Sequence, residues 1–125
     1  MFELTIDTHF SAAHRLREYG GDCERLHGHN WKVRVTVARD ELDSQGMVLD
    51  FRDLKAIVRD VLKAFDHAFL NEVEAFKTIN PTTENIARLI GEGVERRLPP
   101  GARVAAATAW ETPGCSATWR PDAKS

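Results

Sequence analysis

Cysteine is scarce in this chain: Cys23 and Cys115 are the two among 125 residues. A disulfide scaffold would need more, and a cytosolic chain would keep both reduced. No apolar run reaches membrane-spanning length, and no signal-peptide pattern follows Met1. A cytoplasmic protein without a membrane partner is expected. An excess of one charge is also lacking. The net charge of −2 gives no reason to expect nucleic acid or an anionic membrane as partner. Internal repeats, low-complexity tracts and linkers are absent, so residues 1–121 read as one domain and 122–125 as a polar tail. The remainder is ordinary for a globular protein: 42% hydrophobic and 29% charged residues, enough for a real core.

Against that background one stretch stands out, Cys23-Glu24-Arg25-Leu26-His27-Gly28-His29. Residues at i and i+2 of a strand point to the same face. His27 and His29 can therefore present two imidazoles to one metal ion, at the edge of the apolar face that continues through Trp31, Val33, Val35 and Val37. Such a pair needs a third ligand. The first segment alternates from Phe2 onward and puts His14 on its apolar parity and His9 on the polar one. Antiparallel pairing of the two strands would bring His14 beside His27 and His29. The alternative is an ordinary core histidine. Residues 15–26 form a long polar connection, the kind of loop that carries function. Its Cys23 is either an inconsequential thiol, a thiolate activated by a nearby metal, or a fourth ligand of a closed structural site.

Asp50 reads as a helix cap, and Leu54, Ile57, Val58, Val61, Leu62 and Phe65 step at helical spacing up to Asp66-His67. Neighbours on a helix do not face each other, so Asp66 and His67 can work together only if the backbone leaves helical geometry there. Thr82 or Thr83 caps a second helix with Glu84 in its first turn and Ile86, Leu89, Ile90, Val94 and Leu98 on its buried side. An alanine-rich strand from Arg103 to Glu111, suited to close packing against something bulky, and a short strand from Cys115 to Arg120 finish the chain. The expected order is β-β-α-α-β-β: an α+β fold with a four-stranded antiparallel sheet and both helices on one face.

His14, Cys23-x-x-x-His27-Gly28-His29, Asp66-His67, Pro81-Thr82-Thr83-Glu84-Asn85 and Trp110-Glu111-Thr112 occur together in this order. The set resembles the 6-pyruvoyltetrahydropterin synthase family, which has the tunnelling fold. The three residues between Cys23 and His27 resemble its 6-carboxytetrahydropterin synthase branch, which serves 7-deazaguanine and queuosine biosynthesis. The resemblance implies a zinc ion on His14, His27 and His29. It implies Cys23 as catalytic base, with His67, oriented by Asp66, as acid-base partner. It implies Glu111 as the carboxylate that grips the pterin and joins the proton relay, and Thr82, Thr83 and Glu84 as lining of the substrate pocket. The implied substrate is 7,8-dihydroneopterin triphosphate. The implied assembly is a homohexamer, in which sheets of three chains close into a barrel and two such trimers stack. At least one of Thr82, Thr83 and Glu84, or the group of Asp66, His67 and Glu111, would then come from a neighbouring chain. A 6-pyruvoyl product, or a non-catalytic zinc module closed by Cys23, are the alternatives. Cys115 is expected to be dispensable.

Overall fold

The computed structural model describes residues 1–17 and 25–122. Cys23 and the end of the polar tail lie outside the described residues. Strand β1 (Phe2–His14) pairs antiparallel with β2 (His27–Arg39) over its whole length, from Phe2 opposite Arg39 to His14 opposite His27. Helix α1 (Phe51–Leu62), a two-residue strand β3 (Ala68–Phe69), two single-turn 3-10 helices (Leu70–Glu72 and Glu74–Phe76) and helix α2 (Thr83–Glu95) follow. Strands β4 (Arg103–Thr112) and β5 (Cys115–Trp119) complete the order.

The sheet runs β3-β1-β2-β4-β5. It has five strands rather than the expected four, and it is mixed, because β3 lies parallel to β1. Two residues are too few for alternation to be read in a sequence. The backbone pairing of Ala68 and Phe69 with Ala12 and Ala13 is what makes them a strand.

Alternation decides which face of the sheet is dry. Ile6, Phe10, Trp31, Val33, Val35 and Val37 are buried with Leu54, Val58, Ile86, Ile90 and Val94 of the two helices in one core. Phe10 stacks on Trp31 with ring centroids 5.9 Å apart. The opposite face carries polar cross-strand pairs: Thr5 with Thr36, Asp7 with Arg34, and Thr108 with Thr118.

Both helices begin where a side chain satisfies a free backbone amide. Asp50 accepts from the Arg52 N–H and Thr82 from the Asn85 N–H. Helix α1 stops at Leu62, a turn before the expected Asp66-His67. The Leu62 carbonyl accepts from the N–H groups of both Phe65 and Asp66, and Phe65 stays buried beyond the helix. The alanine-rich strand meets its bulky partner as expected. Trp119 lies against Gly91 of α2 and Ala107 of β4, and a Cβ on Gly91 would run into its indole ring. Among the described residues no helix is long and apolar enough to cross a membrane.

Candidate metal centre

The β1–β2 register builds the site. His14 stands opposite His27, and Ala12 opposite His29, so three imidazoles converge at the end of the hairpin. Their ring centroids lie 4.5 Å (His14 to His27), 5.4 Å (His14 to His29) and 4.7 Å (His27 to His29) apart. Trp31, fully buried, sits edge-on beneath His14 and His29 at 5.1 and 5.4 Å. Strand β4 pairs Trp110 with Lys32 of β2 and thereby carries the next residue, Glu111, to the same corner. Its Oε1 is 3.6 Å from His14 Nε2 and its Oε2 is 3.8 Å from His29 Nε2.

Backbone carbonyls fix two of the tautomers. His14 Nδ1 donates to the Pro81 carbonyl at 2.7 Å, and His27 Nδ1 donates to the Arg25 carbonyl at 2.7 Å. A carbonyl can only accept, so the proton sits on Nδ1 and the lone pair on Nε2. This is the arrangement that orients a metal-binding imidazole. The Nε2 atoms of His14 and His29 are buried and have no hydrogen-bond partner, an expensive state for a polar atom without a ligand. Donor atoms of His14, His27, His29 and Glu111 all lie within 4.8 Å of one another. Nitrogen and oxygen donors of this kind fit a zinc ion. Burial pushes the pKa of His14 down, although the Pro81 carbonyl and Glu111 pull it up. Burial likewise lowers that of His29 against the pull of Glu111. The close approaches to Glu111 are therefore not ordinary ion pairs: both imidazoles are held toward the neutral form that binds metal.

The Thr83 hydroxyl donates to Glu111 Oε1 at 3.2 Å. Thr83, Glu84, Glu111, Cys115, Ser116 and Ala117 line a pocket of about 170 Å³ beside the histidines. Thr82 is occupied as the cap of α2, where it frames the Pro81 carbonyl that holds His14. Glu111 and Thr83 thus meet the histidines within one chain. Cys115, thought dispensable, is exposed and forms part of the pocket wall.

Asp66 and His67 do leave helical geometry. His67 has φ of 57°, and its Nδ1 lies 3.0 Å from Asp66 Oδ1. The pair is docked on β1: the Ser11 N–H donates to Asp66 Oδ1 at 3.0 Å, and the His67 N–H donates to the Ser11 carbonyl at 2.6 Å. The Ser11 amide, with His67 adding its share, keeps the Asp66 carboxyl below the usual range. A non-glycine residue in the left-handed region is strained, and such strain collects at functional sites. The His67 side chain is 82% exposed and borders an open cleft of about 550 Å³ that also touches His29, Asn30 and Ser11.

Sequence reading missed the roles of the Pro81 and Arg25 carbonyls, since backbone atoms leave no residue-type signal. It also missed the closeness of Glu111 to the histidines, which depends on the β2–β4 pairing.

Known proteins resemble this chain in sequence and fold. The family described as 6-pyruvoyl tetrahydropterin synthase matches residues 3–122. A Bacillus subtilis protein named 6-carboxy-5,6,7,8-tetrahydropterin synthase is 43% identical over 102 residues, covering 78% of this chain and 68% of that protein. A Pyrococcus furiosus protein named dihydroneopterin monophosphate aldolase is 37% identical over 102 residues, covering 82% of each. The solved structure of Caenorhabditis elegans 6-pyruvoyl tetrahydropterin synthase superposes with a TM-score of 0.85 at 31% identity, over 97% of this chain and 96% of that one.

Proposed function

Because the chain belongs to the 6-pyruvoyl tetrahydropterin synthase family, we propose that it is a zinc-dependent 6-carboxy-5,6,7,8-tetrahydropterin synthase. It converts 7,8-dihydroneopterin triphosphate and water to 6-carboxytetrahydropterin, acetaldehyde and triphosphate, a cytoplasmic step of 7-deazaguanine and queuosine biosynthesis. One observation carries the reading: three imidazoles meet beside Glu111, with the buried Nε2 atoms of His14 and His29 unpartnered. The name of the 43% identical relative supports the carboxy branch.

His14, His27 and His29 would hold the zinc ion, which when bound makes the substrate's side-chain hydroxyls more acidic. Cys23, as thiolate, takes a proton from a side-chain carbon, and His67 returns one, held in orientation by Asp66. Glu111, positioned by Thr83, accepts from the amino and ring N–H groups of the pterin. Glu84 completes the wall of that pocket, and Thr82, the cap of α2, holds Thr83 at its edge. The unpaired edges of β5 and of the N-terminal part of β1 are joined between chains in a homohexamer, closing three sheets into each of two stacked barrels. In that assembly Asp66 and His67 act on the Cys23 of a neighbour.

The test is incubation of zinc-loaded protein with 7,8-dihydroneopterin triphosphate and identification of the products. Acetaldehyde with 6-carboxytetrahydropterin is expected. A 6-pyruvoyl product without acetaldehyde would move the chain to the sister activity. Cleavage to a hydroxymethylpterin would favour the aldolase reading, for which the 37% identity to the Pyrococcus furiosus protein is the specific support. In a non-catalytic zinc module, Cys23→Ala would lose the metal. In the enzyme it keeps the metal and loses turnover.

A further inference from the structure

Glu111 is placed oddly for a residue whose only task is to hold a substrate. Its Oε1 and Oε2 face the Nε2 atoms of His14 and His29 at 3.6 and 3.8 Å, too far for hydrogen bonds. The His14 proton is committed to the Pro81 carbonyl through Nδ1. The lone pair of His14 Nε2 therefore faces a carboxylate oxygen, acceptor against acceptor. Among the described residues the neutral donor the carboxylate meets is the Thr83 hydroxyl, at 3.2 Å. Among the described residues no lysine or arginine pairs with it; its approaches within 4.0 Å are to the two histidines. A cation in the gap resolves the repulsion. Zinc stands about 2.0–2.2 Å from nitrogen and oxygen donors, so two donors on one ion lie within about 4.3 Å of each other. Both distances meet that limit. The full set of four donors, within 4.8 Å, needs at most a small closing movement. The same carboxylate also lines the pocket beside the histidines.

Resting on the pterin reading above, we propose that Glu111 is shared between metal and substrate. In the substrate-free protein it closes the three-histidine site as a fourth ligand, and it turns into the adjacent pocket when a pterin ring arrives. The open coordination position is thus created by substrate recognition itself. Thr83 holds Oε1 in both states. Because one carboxylate serves two partners, metal and pterin ring compete for it, and competition between two ligands is reciprocal.

The cobalt(II)-loaded protein reads the first half. Its visible ligand-field spectrum without substrate should differ between wild type and Glu111→Gln. Zinc retention against a chelator should fall in the variant by at least the roughly tenfold that loss of even an outer-shell partner costs. Identical spectra and identical retention would overturn the fourth-ligand role. The variant keeps its three histidines and stays loaded, so the spectral comparison does not depend on the affinity change. The second half is read on wild type with 7,8-dihydropterin, which has the ring but no side-chain hydroxyls to bind metal. Its Kd should be weaker for the zinc-loaded than for the metal-free protein. An equal or tighter Kd with zinc would overturn the sharing. Absence of binding to both forms would overturn the pterin reading as well, whereas unaltered metal content in His27→Ala would overturn the metal site beneath both.

Discussion

At the scale of single residues, the account rests on the histidines and on a thiol–imidazole pair. His27→Ala should leave the protein with little or no zinc in metal analysis; an undiminished content would remove the three-histidine assignment. Acid should act in a defined direction. Burial holds the pKa values of His14 and His29 below the ordinary imidazole value of about 6.5. Zinc retention should therefore persist through that pH and fail below it. In metal-free protein the unfolded chain takes up protons on these two residues below about pH 6.5 while the folded chain does not. Their contribution to stability is thus present above that pH and is lost as pH falls toward their depressed folded values. Thermal unfolding of the apo protein from pH 7 to 5 should show the decline, and a His14→Gln, His29→Gln double variant should flatten it. Cys23→Ala and His67→Ala should each cut turnover sharply in folded protein. The double variant should lose far less than the product of the two losses, because groups acting as a unit are not additive; strict multiplicativity would separate the two residues. The histidines were legible from sequence because strand parity can put His14, His27 and His29 on one apolar face, although parity left an ordinary core histidine open at His14 and the ligand set came from the family resemblance. The Asp66–His67 contact was legible only as a condition, since no residue type announces a left-handed φ at a histidine.

At the scale of elements, the helix starts were readable from Asp50 and Thr82, whose side chains carry the capping chemistry. The end of α1 was not. Phe65 continues the apolar spacing, yet it is buried from a turn that the Leu62 carbonyl closes. Strand β3 was not readable either, because two residues hold no periodicity. Thr82→Ala should cost about 1 kcal/mol through loss of the cap, seen as a lowered Tm. Because the cap directly follows the carbonyl that holds His14, the same variant should also loosen zinc binding. A normal Tm with normal zinc affinity would mean that neither link matters. Gly91→Ala should destabilise by about 1–3 kcal/mol, the usual cost of overpacking, because the added methyl meets the Trp119 ring and the Ala107 side chain. A neutral effect in denaturant unfolding would show that β5 can move away from α2.

At the scale of the whole molecule, the sheet is dry on its helix-covered face and polar on the other, and among the described residues its edges are unpaired. Joining those edges between copies predicts a hexamer by light scattering; a monomer at working concentration would contradict it. Since Glu111 stands with the histidines of its own chain, the side chains to be exchanged in a mixing test are Cys23 and His67. Inactive Cys23→Ala and His67→Ala oligomers, unfolded together and refolded, should regain activity if a boundary unites the two residues. No recovery in a proven hexamer would place both in one chain. The fold class was legible because alternation and helical spacing are properties of the chain itself, whereas the relation between copies is written in surfaces that one sequence does not align. The central claim is chemical, and one measurement meets it most directly. Zinc-loaded protein is given 7,8-dihydroneopterin triphosphate, and acetaldehyde and triphosphate are followed together. The account predicts that both appear in equal amounts, alongside 6-carboxytetrahydropterin. Triphosphate release without acetaldehyde, or an unchanged substrate, would contradict it.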